Sequence, residues 1–176
     1  MSIRNKLMLL GGIAAIGLAA LGAKGFDEIS GYGVNRLIVC IESAPAPIDW
    51  SCGQMLEHKL KSVEFVADLN ANAGALFAVL ADDAELGRKL LTSFIEHGVD
   101  INATDRSSAS AWSALHIMAM DSLQWPVEML LEFGADPSLV DANGMTALDL
   151  ARKVQNEAPE PGRLGIIQML EGRQAP

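Results

Sequence analysis

The chain has 176 residues, half of them hydrophobic, with 13 basic and 22 acidic side chains and a formal net charge of −9. That length and apolar content suffice for one folded domain and exclude wholesale disorder. An acidic surface repels nucleic acid and anionic headgroups; it favours a partner with a basic surface, and it equally serves plain solubility.

Residues 1–24 read as a targeting segment. Arg4 and Lys6 precede seventeen uncharged residues, Leu7 to Ala23, which Lys24 ends. That is slightly long for the apolar part of a signal peptide and short for a spanning helix. Ala20-Leu21-Gly22 would suit a signal peptidase. A cleaved signal peptide and a retained membrane anchor through residues 7–23 both stay open, with a cytosolic helix as a third reading. The first two export everything after Lys24. Removing residues 1–24 takes away three basic and no acidic side chains, leaving 22 acidic against 10 basic, a net of −12.

Residues 25–52 hold both cysteines, Cys40 and Cys52. In an exported chain two cysteines point to one disulfide, with two buried thiols as the alternative. Ile41 to Ser51, containing Pro45 and Pro47, is expected to be a loop. Closing so short a loop stabilises by about 3 kcal/mol in the chain-entropy picture. Asp27 to Glu42 fits a helix or a strand equally. Neither cysteine belongs to a Cys-x-x-Cys pair, so zinc and redox chemistry have little support.

From residue 70 the sequence repeats itself. Gly74-Ala-Leu-Phe-Ala-Val-Leu-Ala81 aligns with Ser113-Ala-Leu-His-Ile-Met-Ala-Met120 and with Gly144-Met-Thr-Ala-Leu-Asp-Leu-Ala151. Each is followed by an apolar set at helical spacing: Leu86, Leu90, Leu91, Phe94 and Ile95; then Val127, Leu130 and Leu131; then Ile166, Ile167 and Leu170. Gly98, Gly134 and Gly172 end these sets, 36 and 38 residues apart, while Ser113 to Thr146 is 33. Gly98 and Gly134 stand where a helix end needs a left-handed residue. Thr146 is placed to cap a helix and Pro126 suits a first turn. Asn102 and Asp141-Ala-Asn-Gly144 are turn formers. Each unit therefore reads as turn, short helix, longer helix, loop. One such pair cannot bury its apolar face alone, whereas stacked neighbours can.

Gly98-Val-Asp-Ile-Asn-Ala-Thr-Asp105, Ser113-Ala-Leu-His116, Phe133-Gly-Ala-Asp-Pro137 and Asp141-Ala-Asn-Gly-Met-Thr-Ala-Leu-Asp-Leu-Ala151 resemble the ankyrin repeat family. The resemblance implies an all-α fold: a solenoid of about three helix-pair repeats over 70–175, behind an N-terminal capping helix and the apolar N-terminal segment. Residues 53–69, with Met55, Leu56, Leu60, Val63, Phe65, Val66 and Leu69, would supply that cap. Three segments follow: 1–24, 25–69 and 70–175. The first unit lacks the Ser/Thr-x-Leu-His element. Residues 104–112 are a lengthened turn, and 155–163 are expected to separate the last two helices.

Catalytic signals are absent. His116 matches the family's structural histidine, His97 precedes Gly98 at a helix end, and His58 stands alone. There is no His-x-x-x-His pair, nucleophile elbow or phosphate-binding glycine loop. Asp82, Asp83 and Glu85 read as a solvated helix start. No enzyme, metal site or cofactor is expected. Ankyrin proteins bind partners with turn tips and first-helix ends lining a concave face. By position those are Ala81 and Asp82; Asp105, Arg106, Trp112, Met120 and Asp121; and Ala142, Asn143, Met145 and Lys153. The resemblance implies a protein-binding module, which the apolar N-terminal segment would place in a bacterial envelope, in the periplasm either soluble or tethered to the inner membrane. It would be an immunity protein that neutralises a cognate toxin of the type VI effector kind. The alternatives are a periplasmic protein supporting another enzyme such as a catalase, or a structural envelope scaffold.

Overall fold

The computed structural model describes residues 29–174. The expected signal or anchor segment, 1–24, lies outside them. Among the described residues every regular element is a helix, and none is long and apolar enough to cross a membrane. The chain divides into two compact units, residues up to Leu56 and residues from Glu57 onward.

In the first unit, α1 (Val34–Ser43) buries Leu37 and Ile38. This settles the helix-or-strand alternative in favour of helix. A turn at 44–47 with a cis Ala46–Pro47 bond leads into α2 (Ile48–Leu60), which crosses the unit boundary. Cys40 and Cys52 are joined by the expected disulfide, with Cα atoms 6.1 Å apart. The loop expected over 41–51 is reduced to those four turn residues. Proline breaks a helix from inside but is harmless just before one, where no intrahelical partner awaits its missing N–H. Here the carbonyls of Pro45 and Pro47 accept from Ile48 and Ser51, so the prolines open α2.

The single capping helix expected over 53–69 is also corrected. The chain breaks at Lys61-Ser62, and α3 (Val63–Ala71) starts anew because the Ser62 hydroxyl accepts from the Phe65 N–H.

Three helix pairs follow: α4 (Ala75–Val79) with α5 (Ala84–Glu96), α6 (Ala114–Ala119) with α7 (Gln124–Glu132), and α8 (Ala147–Glu157) with α9 (Pro161–Gln174). Contacts run within each pair, and also along two rows: α4 on α6 on α8, and α5 on α7 on α9. Leu91, Phe94, Leu115, Leu130, Ile166 and Leu170 are fully buried in this array. Each contributes about 1.5–3 kcal/mol relative to an exposed side chain. Close approach sets the glycine at the start of α4: a Cβ on Gly74 would fall 2.8 Å from both Cβ and the carbonyl oxygen of Leu69.

The starts of α6 and α8 are capped alike. Ser113 and His116 form one reciprocal capping box, Thr146 and Asp149 the other. Gly98 and Gly134 have φ of +92° and +93°, ending α5 and α7. Beyond them the N–H groups of Val99 and Ala135 return to the carbonyls of Phe94 and Leu130, the bond pattern a left-handed glycine makes possible. Gly172 does not repeat this role, because α9 runs through it to Gln174. Nor do residues 155–163 separate the last two helices, since only 158–160 lie between them. Gln155 keeps the corner tight, its side-chain oxygen accepting from the Glu160 N–H and from Arg163.

Gly134→Val should lower stability by about 1–3 kcal/mol, because a β-branched residue is strained at positive φ. Gly172→Ala, at a helical site with open space around it, should leave the melting temperature unchanged or raised. Chemical denaturation of both variants checks this; a neutral Gly134→Val would contradict the proposed helix end. On the native protein, thiol labelling should find Cys40 and Cys52 blocked until reductant is added.

Candidate functional site

Four aspartates build the turns between helix pairs, in two sets 36 residues apart. Asp100 and Asp136 accept from the N–H groups of Asn102 and Ser138, two residues on. Asp105 and Asp141 do the same with Ser107 and Asn143. A carboxylate that folds its own backbone back in this way replaces a solvent contact with a fixed turn. Asparagines then tie successive turns together. Asn70 accepts from the Asp100 N–H, and Asn102 accepts from the Asp136 N–H, each at 2.8 Å. Backbone bonds add to this, from Arg106 to Ala71 and from Ala142 to Ser110.

Asp141 is the most committed of the four. It is 6% exposed. One oxygen takes the N–H groups of Asn143 and Met145; the other takes Trp112 Nε1 at 2.9 Å and the Asn143 amide. Burial alone would raise its pKa, but the bonds from Met145, Trp112 and Asn143 together hold it at about 2. Asp105 and Asp136 are lowered by their serine partners and Asp149 by Thr146.

His116 is buried and links the second unit of the array to the third. Ser113 lies 2.8 Å from Nδ1 and the Met145 carbonyl 3.2 Å from Nε2. The carbonyl can only accept, so the assigned tautomer carries its proton on Nε2. Burial lowers the pKa of this imidazole. Its role is structural, as the sequence implied.

The expected binding residues fall into two groups. Trp112 is half-buried, its indole donating to Asp141 and its carbonyl accepting from Asp105. Met145 is half-buried, and its backbone serves both His116 and Asp141. Asp105 accepts from Ser107 on its own turn, and Asn143, although exposed, donates its amide to Asp141. Ala81 is buried just past α4, which removes it from the surface, and its N–H returns to the Ala78 carbonyl. By contrast Arg106, Asp121 and Lys153 are exposed, as is Asp82. Among the described residues, Arg106 and Lys153 make no side-chain ion pair. Met120 is half-buried, and its carbonyl accepts from Arg163 Nε at 3.0 Å.

Two exposed leucines were missed. Leu80, just past α4, is 58% exposed, and Leu123, at the start of α7, is 54% exposed. A signal was present for Leu123: it occupies an N-cap, where it can offer no side-chain oxygen. Arg163 was also missed. It is buried, and donates to the Met120 and Ala158 carbonyls at the ends of α6 and α8. A guanidinium is favoured there by the helix dipoles.

Among the described residues no group of three His, Cys, Asp or Glu side chains could hold a metal ion. A cleft of about 540 Å³ is lined by Asp136, Pro137, Ser138, Thr146 and Arg173, on a side where the turn carboxylates are already engaged.

No family model matches the chain. A probable E3 ubiquitin-protein ligase of Oryza sativa subsp. japonica is 37% identical over 79 residues, covering 45% of this chain and 14% of that protein. An ARF GTPase-activating protein of Drosophila melanogaster is 35% identical over 96 residues, covering 48% of this chain and 12% of that protein. The chain thus spans about one-eighth of the length of these relatives.

Asp141 has its pKa lowered from 3.8 to about 2 by folding. Its contribution to stability is therefore full above about pH 4 and lost as pH falls through about 2. Asp105, Asp136 and Asp149 act in the same sense. Unfolding free energy should fall between pH 4 and pH 2, and Asp141→Asn should flatten that fall while destabilising the protein at pH 7. Urea titrations at a series of pH values measure both; an unchanged slope in Asp141→Asn would contradict the assignment. Trp112→Phe, which removes the indole donor, should cost about 1–2 kcal/mol at pH 7.

Proposed function

We propose that residues 70–175 are an ankyrin-type stack that binds another protein, and that the chain is an exported immunity-type module neutralising a toxin. The binding edge consists of first-helix ends and turn tips: Leu80 and Asp82, Met120, Asp121 and Leu123, Arg106 on the long turn, and Lys153. The observation that carries this reading is a division of labour. The turn aspartates, Trp112 and the Met145 backbone are spent on holding successive turns in register. Leu80, Arg106, Asp121, Leu123 and Lys153 project from that frame into solvent. Apolar side chains rimmed by charge on a rigid backbone are what a protein interface uses.

The residues from Glu57 onward carry 18 acidic and 9 basic side chains, a net of −9, which favours a basic partner. The Cys40–Cys52 bridge is consistent with an oxidising compartment, and the periplasm fits both it and the apolar N-terminal segment. The two relatives carry unrelated names and share only a small part of their length with this chain. A segment common to such different proteins supports a binding role better than a catalytic one.

A pull-down of the full chain from envelope extracts, with the partner identified by mass, tests the proposal. One tightly held basic protein that arrests growth when sent to the periplasm, and whose arrest this chain relieves, is the expected result. Several weak partners with no tight one would point to a scaffold and overturn the immunity reading. Leu123→Ala and Asp121→Lys should each weaken the complex about tenfold or more without moving the melting temperature. Equal affinity in both variants would displace the binding edge from this surface.

A further inference from the structure

Each helix pair of the array turns at a corner: 80–83, 120–123 and 158–160. Close contacts set the three corners side by side. A Cβ on Gly87 would meet both the Ala78 carbonyl oxygen and the Trp125 ring, so the start of α7 lies against the end of α4 and the start of α5. Ser122 comes so near α9 that no Cβ fits on Gly162, and the Gln124 amide donates to the Gly162 carbonyl. Arg163 adds a bond from Nε to the Met120 carbonyl at 3.0 Å. The first helices lie in one row, α4 on α6 on α8. Packed helix axes stand about 8–10 Å apart, so successive corners recur at about that step.

This row is both apolar and acidic. Leu80 on the first corner and Leu123 on the second are each more than half exposed. Residues 80–85, 120–124 and 157–161 hold six acidic side chains and no basic one. Arg163, beside the third corner, is buried and held by helix-end carbonyls. The turns that open the first helices differ, because their aspartates are bonded to their own backbone N–H groups. Among the described residues the Glu157 and Glu160 side chains make no hydrogen bond or ion pair.

We infer that this row receives a cationic amphipathic helix of a partner protein, laid across the corners. This rests on the reading of the array as a protein-binding module and names the element that the partner brings. Spacing selects a helix. An α-helix returns the same face after two turns, about 11 Å along its axis, close to the step between corners. In a strand the residue about 10 Å further on points to the opposite face. Apolar side chains about seven residues apart on the helix reach Leu80 and Leu123, and Lys or Arg between them meets the carboxylates. Charge excludes other occupants: nucleic acid, anionic lipid and a second copy of this chain would each bring like charge to the row.

The test immobilises the full chain and measures binding of a synthetic leucine–lysine peptide of about 18 residues, long enough as a helix to cross all three corners. Its leucines lie on one helical face. A scrambled peptide of the same composition and a leucine–glutamate counterpart are run beside it. The chain should hold the amphipathic cationic peptide at least about fivefold more tightly than the scrambled one, and the glutamate peptide not at all. Leu80→Ser on the first corner and Glu157→Lys beside the third should each weaken binding about fivefold or more, with unchanged melting temperatures. Glu96→Lys makes the same charge change at the far end of α5, about 18 Å from the first corner, and should weaken it less than about twofold. Equal weakening by Glu96→Lys and Glu157→Lys would reduce the effect to net charge and overturn the row. Wild-type affinity in both Leu80→Ser and Glu157→Lys would overturn it too, and equal binding of the scrambled peptide would overturn the helix. A chain that relieves a toxin's arrest yet does not prefer the cationic peptide to its glutamate counterpart would lose this inference and keep the immunity reading. A chain that binds the peptide along the row but relieves no toxin would do the reverse.

Discussion

Between the second and third helix pairs sits a carboxylate ringed by four N–H donors. Two of them, from Asn143 and Met145, come from the turn that Asp141 itself begins. A third, the Trp112 indole, comes from the preceding turn. The array depends on this kind of bond. Helices satisfy their own backbone, but the turns joining them do not, and an unpaired polar group in a partly buried turn costs as much as a lost core contact. Here each turn supplies its own aspartate, and asparagines one unit earlier supply the link. A tip that would otherwise be mobile becomes a fixed platform.

Packing completes what the turns begin. A Cβ on Gly87 would lie 3.1 Å from the Ala78 carbonyl oxygen and 3.2 Å from the Trp125 ring, so glycine eases a close approach of α7 to α5. Arg88 reaches across the same pair to Glu132, and Arg152 joins α8 to α9 through Glu171. Those ion pairs are half-exposed and each contributes little. The burial of Leu91, Phe94, Leu130 and Ile166 along the second row contributes far more.

The proposed binding role would use a platform whose turn carboxylates are already bonded within it. The turn aspartates accept from N–H groups of their own turns. What remains outward is a set of leucines and charges whose neighbours are already fixed, so little conformational entropy would be lost on binding.

Much of this was readable along the chain. Gly98 and Gly134 marked helix ends because only the left-handed region lets the backbone return to the last turn. Thr146 marked a helix start because its hydroxyl meets an N–H three residues on. Cys40 and Cys52 had no other partners. All of these are decisions taken within a few residues, or forced by composition. The helices of the repeat units followed from the apolar spacing, while the all-α character of the whole followed only from the resemblance. The errors came where a local signal had a distant answer. The loop expected over 41–51 shrinks to the four residues that hold Pro45 and Pro47, and Gly172, in line with Gly98 and Gly134 in the repeat, lies within α9. Residues 155–163 looked like a linker, yet Gln155 and Arg163 draw them into a corner of three. Trp112, expected by position among the binding residues, donates its indole N–H to Asp141, 29 residues away. Arg163 was invisible because its partners are the carbonyls of helix ends, which have no letter in a sequence. Short-range backbone chemistry is written in residue order; the pairing of one turn with the next is decided only when the helices pack.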